Sequence, residues 1–414
     1  MPVLPAAEPL SWSELAAYAG SEVDLRTGPT ASRARLRTFG RPEQEVRVRL
    51  YRDHHGWCPY CQKVWLWLEE KRVPYRVAKV TMVCYGTKEA WYRRLAPSGM
   101  LPAIELDGTL VTDSDRILEV LETAFGSLGP GLCDPRVMQL RQLERLLFRA
   151  WCQWLCQPLA PAASERARAA FHATAARFAE ALEASPGPFL LGELSTADLV
   201  FAPTVERMSA SLAYYKGDLL RRHHPAVDRW FAALEQRATY RGTQGDFHTH
   251  AHDLPPQMGG CYPASTPESL RLAERIDHGP WPIVDAGPDP ETSQPLPPGT
   301  AAEVIGRVLR HHRVLVRRYG RDQDGFEQAL RCAMTALAIG GEWQPPAGSA
   351  TGLRSLRDRV CVPRDLSLHG ARLLRQVLEQ TARLDPEGPD APGLPIPRDH
   401  RLDQDPAPFQ LAEA

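Results

Sequence analysis

Apolar and polar residues alternate along Val46-Arg47-Val48-Arg49-Leu50-Tyr51, the period-two pattern of a half-buried strand. Over residues 59–72 the period changes to helical, with Val64, Leu66, Trp67 and Leu68 supplying one apolar face. Tyr75-Arg76-Val77-Ala78-Lys79-Val80 alternates again, so a helix joining two strands predicts a parallel βαβ unit. A short helix is expected over 89–95. Asp107-Gly108 then lies between two apolar runs that begin at Ala103 and Thr109, the strongest short-range signal for a hairpin. Ser114, flanked by Asp113 and Asp115, opens a further helix running to about residue 125, and its N-terminus is an anion site.

Beyond that point the pattern is helical throughout. Residues 136–157 and 164–184 are long amphipathic stretches. Ser195-Thr196-Ala197-Asp198 ahead of Leu199-Val200-Phe201 is a capping box with Asp in the Glu position, and 225–239 is another helix. Residues 251–300 are rich in Pro, Gly and Asp and predict a long irregular connection. Helical periodicity returns over 301–319, 324–340 and 365–383. No internal repeat is present. The chain therefore divides into an N-terminal extension (1–44, with one short helix near 11–18), an α/β domain (45–128), an all-helical domain (129–250) and a Pro-rich linker with a helical extension (251–414). The tail helices are expected to pack on the helical domain rather than to fold independently.

The chemistry concentrates at Gly56-Trp57-Cys58-Pro59-Tyr60-Cys61, where strand passes into helix. A Cys-x-x-Cys delivered by a strand onto a helix start is the opening of a thioredoxin-like domain. Cys58 falls at the N-cap and Pro59 at the first helical position, where its missing N–H costs nothing. The helix-end amides and dipole favour a thiolate at the first cysteine. Thiols so placed fall in the range of ~3.5–7.5 against ~8.5 for a free one. Greater ionisation is offset by weaker intrinsic nucleophilicity, at a slope of ~0.4–0.5. The larger gain comes when the thiolate leaves, which suits thiol–disulfide exchange better than one-way alkylation. The competing reading is a zinc knuckle using His54, His55 or Cys84, but no second Cys-x-x-Cys or spaced His pair follows as a zinc framework requires.

Composition narrows the setting. The net charge of −1 gives no bulk attraction to nucleic acid or anionic membranes, and no 18-residue apolar run predicts a membrane span. The first residues, Met1-Pro2-Val3-Leu4-Pro5, lack a signal pattern. Nine cysteines without framework spacing suit a reducing compartment. Only five of the 49 basic residues are lysines, four of them between Lys63 and Lys88, a hint that a compact point charge is used near the cysteines.

This succession of motifs resembles the glutathione transferase superfamily over residues 46–245, specifically its cysteine-type members such as the omega, lambda and dehydroascorbate-reductase classes. The Gly-Trp-Cys-Pro-Tyr-Cys run and the long tail look most like the iota class of photosynthetic organisms. The resemblance implies an α/β thioredoxin-like domain followed by an all-α transferase domain, with glutathione as co-substrate. It implies that Cys58 is the catalytic cysteine. Leu101 precedes a cis-proline, Pro102, and its backbone pairs with the glutathione cysteinyl group. Asp113 and Ser114 receive the γ-glutamyl ammonium and carboxylate, and Lys88 the glycyl carboxylate. Cys61 departs from the omega pattern and opens a dithiol route, as a resolving cysteine or as a bystander. Ser114 as a simple cap and Lys88 as a solvated helix residue are the structural alternatives.

Trp151, Trp154, Tyr214 and Tyr215 are candidates for the wall of an acceptor site between the domains, against the alternative that they are core. His248, His250 and His252 at period two would share a face in an extended segment and hold a metal, but a polar junction is the default, and no metal is expected. Arg307, Arg310, Arg313 and Arg317 form one basic helix face, solvated or docking an acidic partner. The expected function is a glutathione-dependent thiol transferase or reductase acting through a mixed disulfide on a small or protein disulfide acceptor, including dehydroascorbate reduction. The alternatives are an apolar-ligand carrier and a glutathione-independent dithiol oxidoreductase. A cytoplasmic location is expected, or the plastid stroma in a eukaryotic phototroph, as a monomer or homodimer.

Overall fold

The alternating run does form a strand, carried two residues further than the pattern suggested. A computed structural model describes residues 8–21, 23–281, 291–320 and 322–410, so the reading of the first seven residues and of 282–290 in the linker lies outside the described residues. The sheet comprises β1 (Leu36–Arg37), β2 (Val48–Asp53), β3 (Tyr75–Val80), β4 (Ala103–Leu106) and β5 (Thr109–Thr112), in the order β1-β3-β2-β4-β5. β2 and β3 run parallel with Leu50 opposite Val77, while the other pairs are antiparallel. Helices α1 (Trp12–Leu15), α2 (Pro59–Glu70), α3 (Ala90–Leu95) and α4 (Ser114–Phe125) belong to the first part of the chain. The helical domain follows with α5 (Pro135–Leu155), α6 (Pro161–Glu183), α7 (Thr196–Ser211), α8 (Leu220–His223), α9 (Pro225–Glu235) and α10 (Ala238–Arg241). Then come α11 (Phe247–Met258), α12 (Pro267–His278), α13 (Thr300–Tyr319), α14 (Gln323–Ile339), α15 (Ala350–Arg357), α16 (Leu368–Ala382) and α17 (Ala407–Gln410).

One continuous core joins the thioredoxin-like sheet to the helical domain. Leu50, Val64, Trp67, Ile117 and Leu121 lead into Trp151, Phe171, Phe201 and Trp230, all buried. The capping box at the head of α7 is formed, with Ser195 N–H and hydroxyl donating to Asp198 at 3.0 and 2.9 Å. Asp198 also accepts from Leu190 N–H and from Trp230 Nε1, both at 3.0 Å, so it organises the domain interior.

Three expectations are corrected. The tail does not simply pack on the helical domain: Val304, Val308, Phe326, Leu330, Leu353, Leu374 and Leu378 form a core of their own. The apolar faces of α13, α14 and α16 are each other's partners, and Leu15 of α1, fully buried, completes them from the other end of the chain. Residues 251–300 are not irregular throughout, because α11 and α12 lie within the stretch. Asp246 caps α11 through Thr249 N–H at 2.9 Å, and Thr266 caps α12 with Pro267 at its first position. Residues 1–44 are more than an extension, since β1 pairs with β3. Arg37 at that edge makes a buried ion pair with Glu69 of α2 at 2.8 Å, and Glu69 also accepts from Tyr75 and Thr30. An arginine-rich run concealed a strand whose arginine is 2% exposed.

The tail also reaches back to the thioredoxin-like domain. Ser32 Oγ donates to Pro363 O at 2.5 Å, and Arg401 N–H to Cys84 O at 2.7 Å. A Cβ on Gly56 would meet the Pro363 ring at 3.1 Å, and His55 Nε2 lies 3.1 Å from Gln404 O. The turn leading to Cys58 is therefore walled by the tail. If the N-terminal helix completes the tail core, Leu15→Ala leaves a cavity there that costs about 2–4 kcal/mol. Urea denaturation followed by limited proteolysis of α13–α16 measures it, and an unchanged midpoint contradicts the packing.

Candidate active site

β2 ends at Asp53, whose carboxylate accepts the Trp57 N–H at 2.8 Å and folds the chain back toward α2. Gly56 takes φ +71° in that turn, a conformation glycine adopts freely. Cys58 is the N-cap of α2 in extended conformation, with Pro59 at the first helical position, as the spacing implied. Its sulfur lies 3.9 Å from the Leu101 carbonyl and is 6% exposed. The Leu101–Pro102 peptide bond is cis. Cys61, one turn into the helix, is 1% exposed, and burial together with its hydrogen bond to Cys58 holds its thiol well above the usual range. The two cysteines thus differ: the first stands at the N-cap of α2 with its sulfur toward the Leu101 carbonyl and no side-chain cap hydrogen bond, and the second is buried one turn further on as a proton donor to it.

The groove is a cavity of about 590 Å³. Leu101, Pro102, Asp113 and Ser114 line it together with Pro59 and Tyr60 from the cysteine motif, so four of the site residues expected from the sequence converge there. Asp113 rather than Ser114 caps α4, accepting from the N–H groups of Asp115 at 2.9 Å and Arg116 at 3.1 Å. It does so at φ +69°, a strained conformation for a residue with a side chain, costing about 1–3 kcal/mol and typical of ligand clamps. Ser114 then heads the helix with its N–H among the free helix-end donors.

The groove also carries a charge cluster that sequence reasoning missed. Asp115 accepts from Lys63 at 2.5 Å, Arg145 at 2.7 Å and Arg141 at 3.0 Å. Burial alone would raise its carboxyl, but Lys63 and the arginines hold it far below the usual range. Arg141, Arg145 and Arg149 recur every four residues on α5, a stripe that could have been read from the sequence, and all three line the cavity. Phe148, Val200 and Pro203 supply its apolar wall.

Behind the cysteine turn lies a buried network from α7. Arg207, 2% exposed, donates to the carbonyl of Trp57, to Gln62 Oε1 at 2.9 Å and to Pro203 O at 2.7 Å. Burial lowers its basicity, and the charges of Glu206 and Cys58 restore part of it. Glu206 accepts from Gly245 N–H at 2.9 Å and pairs with His250 at 2.8 Å.

Other expected residues lie elsewhere. Trp151 and Trp154 are 1% and 3% exposed and belong to the core, Trp151 Nε1 bonding Ser211 at 3.0 Å. Tyr214 and Tyr215 bond Asp277 and the Ala251 carbonyl and line a different cavity. None of the four walls the groove, because helical spacing put them on the faces that α6 and α11 cover. Lys88 does not line the groove either. Its ammonium donates to Gly99 O at 2.5 Å, supporting the 98–100 loop, and burial lowers its pKa. His54, with its pKa lowered to about 4 by burial, faces Glu89, and His55 stacks on Tyr85, so neither joins Cys58 in a zinc-type cluster. The segment 247–252 is helical, not extended: His250 turns to Glu206 while His248 and His252 share the other face. Of the basic stripe on α13, Arg310, Arg313 and Arg317 are exposed, whereas Arg307 turns inward to Asp365 O at 2.9 Å.

Residues 57–124 match the family profile of the glutathione S-transferase N-terminal domain, and 161–233 that of the glutathione S-transferase C-terminal domain. Glutathione S-transferase DHAR2 of Arabidopsis thaliana is 32% identical over 46% of this chain and 86% of its own length. Glutathione S-transferase DHAR3, chloroplastic, of the same plant is 29% identical over 46% of this chain and 70% of its own. Among solved structures, the dehydroascorbate reductase of Chlamydomonas reinhardtii is similar at 23% identity, covering 48% of this chain and 93% of that one with a TM-score of 0.41.

Asp115→Asn leaves Lys63 and Arg141 without their shared anion. With the carboxylate 26% exposed, the expected loss at neutral pH is about 1–2 kcal/mol. The folded carboxyl titrates below its unfolded value of ~3.9, so its contribution is complete above that value and is lost as pH falls through the folded one. Denaturation followed downward from about pH 7 should show a constant gap between variant and parent until about pH 4, and a gap that narrows steadily from there and is still closing at about pH 2; a gap unchanged down to about pH 2 refutes the pairing.

Proposed function

The chain belongs to the glutathione S-transferase family, and from that premise we propose that it is a glutathione-dependent thiol transferase and reductase with Cys58 as nucleophile. The observation that carries this reading is the division of labour between the sulfurs, one at a helix N-cap beside the groove and one buried and protonated. A hydroxyl at that position would activate the thiol of bound glutathione for conjugation. A cysteine forms a covalent mixed disulfide instead.

Cys58 thiolate attacks the glutathionyl sulfur of a mixed-disulfide acceptor, forming Cys58–S–S–glutathione and releasing the acceptor thiolate, which takes a proton. A second glutathione thiolate attacks the Cys58 adduct, regenerates the Cys58 thiolate and leaves as glutathione disulfide. Dehydroascorbate carries no disulfide, so there Cys58 thiolate adds to a carbonyl carbon, which takes a proton on oxygen. One glutathione thiolate attacks the Cys58 sulfur, breaking the carbon–sulfur bond and releasing ascorbate, and a second clears the resulting adduct as glutathione disulfide. The DHAR names of the relatives support this substrate. The bound tripeptide sets its γ-glutamyl carboxylate on the hydroxyl and N–H of Ser114 and its ammonium on Asp113. Its cysteinyl backbone pairs with Leu101 beside Pro102. Lys88 acts indirectly, by holding the 98–100 loop. Cys61 serves Cys58 as a hydrogen-bond donor, and glutathione rather than Cys61 resolves the adduct, because a buried protonated thiol is a poor attacker. Tyr60, Phe148 and Arg149 form the acceptor wall in place of the four aromatics expected from sequence.

The Gly-Trp-Cys-Pro-Tyr-Cys run and the long tail support the iota class within the family. Among the described residues no helix is long and apolar enough to cross a membrane. We place the activity in a reducing compartment, cytoplasm or plastid stroma.

Cys58→Ser should lower thiol transfer by at least about a hundredfold and abolish the glutathionyl adduct seen by intact mass after glutathione disulfide treatment. Cys61→Ser should stay within about threefold of the parent. Turnover that survives Cys58→Ser overturns the nucleophile, and an adduct that glutathione cannot clear in Cys61→Ser assigns resolution to the second thiol.

A further inference from the structure

The histidines of α11 are not used by the chemistry above. His248 and His252, one turn apart, bring their rings to 4.6 Å between centroids. Asp277, from the last turn of α12, comes alongside with Oδ1 at 2.7 Å from His252 Nε2. One ligand atom from each of the three lies within 4.8 Å of the other two. Tyr214 donates to Asp277 Oδ2 at 2.8 Å, fixing the carboxylate from behind as outer hydrogen bonds do around metal ligands.

Within this cluster one atom stands out. His248 is 4% exposed, and its Nε2 is buried without a hydrogen-bond partner. Such an orphan in a native interior calls for an explanation, and an unrecorded ion is one of the few available. A cavity of about 660 Å³ opens onto His248, His252 and Asp277, and the tail supplies its far wall through Arg354, Arg357 and Arg398.

We propose that His248, His252 and Asp277 form a binding site for a divalent ion of the zinc type, with the fourth coordination position facing this cavity. Two imidazoles and a carboxylate suit zinc at bonds of ~2.0–2.2 Å. The ion parts the direct His252–Asp277 hydrogen bond to roughly the 3.3 Å that separates ligands in a tetrahedron of that size. It gives the orphaned nitrogen its partner. The other histidine–carboxylate grouping, His172, Asp218 and His223, is a poorer host, because His223 is half exposed and His172 already bonds both Asp218 and His224.

The full-length chain, stripped with a chelator, is titrated with zinc alone against a chromophoric competitor, and its metal content is measured. One ion per chain is expected. His248→Gln and Asp277→Asn should each weaken binding at least tenfold, while the double variant Cys58→Ser/Cys61→Ser binds as the parent does. Cobalt substituted for zinc should give the visible bands of a tetrahedral nitrogen–oxygen site without a sulfur charge-transfer band. Absence of zinc binding, unchanged affinity in both site variants, or a cobalt–thiolate spectrum overturns the proposal. Where the variants fail to fold, the cobalt spectrum of the parent chain decides.

Discussion

Arg207 is the constraint on which the site depends. A guanidinium with almost no solvent contact depends on the acceptors that surround it, and here Nη1 and Nη2 find theirs in two domains while Nε is left without one. The Trp57 carbonyl and the Gln62 amide belong to the thioredoxin-like domain, and the Pro203 carbonyl to α7 itself. Leaving one donor of such a buried arrangement unmet costs about 1–3 kcal/mol, because the group has given up water for nothing. Lysine cannot substitute, since its point charge does not span three acceptors in one plane. The consequence is geometric: the carbonyl immediately before Cys58 is held by the other domain, so the mouth of the groove has a fixed width.

That rigidity explains how one short motif supports two unlike thiols. Asp53 fixes the turn from the strand side, Arg207 from the helical domain, and Pro363 with Gln404 from the tail. Between them Cys58 looks toward Leu101 and the groove, while Cys61 is shut in behind it. The far end of the groove is organised by Asp115, which gathers three cations, and by Asp113, which takes the next two helix-end amides and leaves that of Ser114 to a ligand. Polar recognition at one end and a nucleophile at the other leave the middle to Leu101 and Pro102.

Much of this was legible in the sequence where the signal is local. The Cys-Pro-Tyr-Cys start of α2, the Asp107-Gly108 hairpin and the Ser195–Asp198 box are each complete within six residues, and each formed. What stayed hidden depends on long-range company. Arg207 and Glu206 sit in a run of interior-facing α7 residues and read as ordinary helix until the partners from 57–62 and 245–250 are seen. Trp151 and Trp154 looked like a pocket wall because aromatic spacing alone does not say which neighbour covers which face. β1 was lost in an arginine-rich stretch, since the Glu69 that neutralises Arg37 lies 32 residues away. The tail was misjudged for a similar reason: a helix pattern reveals an apolar face but not the helix, least of all one from residues 12–15, that fills it.

The contact between the tail and the Gly56 turn has a bearing on biosynthesis. A chain leaves the ribosome from its N-terminus, and domains generally fold as they emerge. The strand and helix that carry Cys58 emerge well before the residues that wall their turn, Pro363 and Gln404. The nascent protein therefore passes through a period in which the proposed nucleophile belongs to an unfinished surface, and full shape at that surface arrives only once the tail has been made.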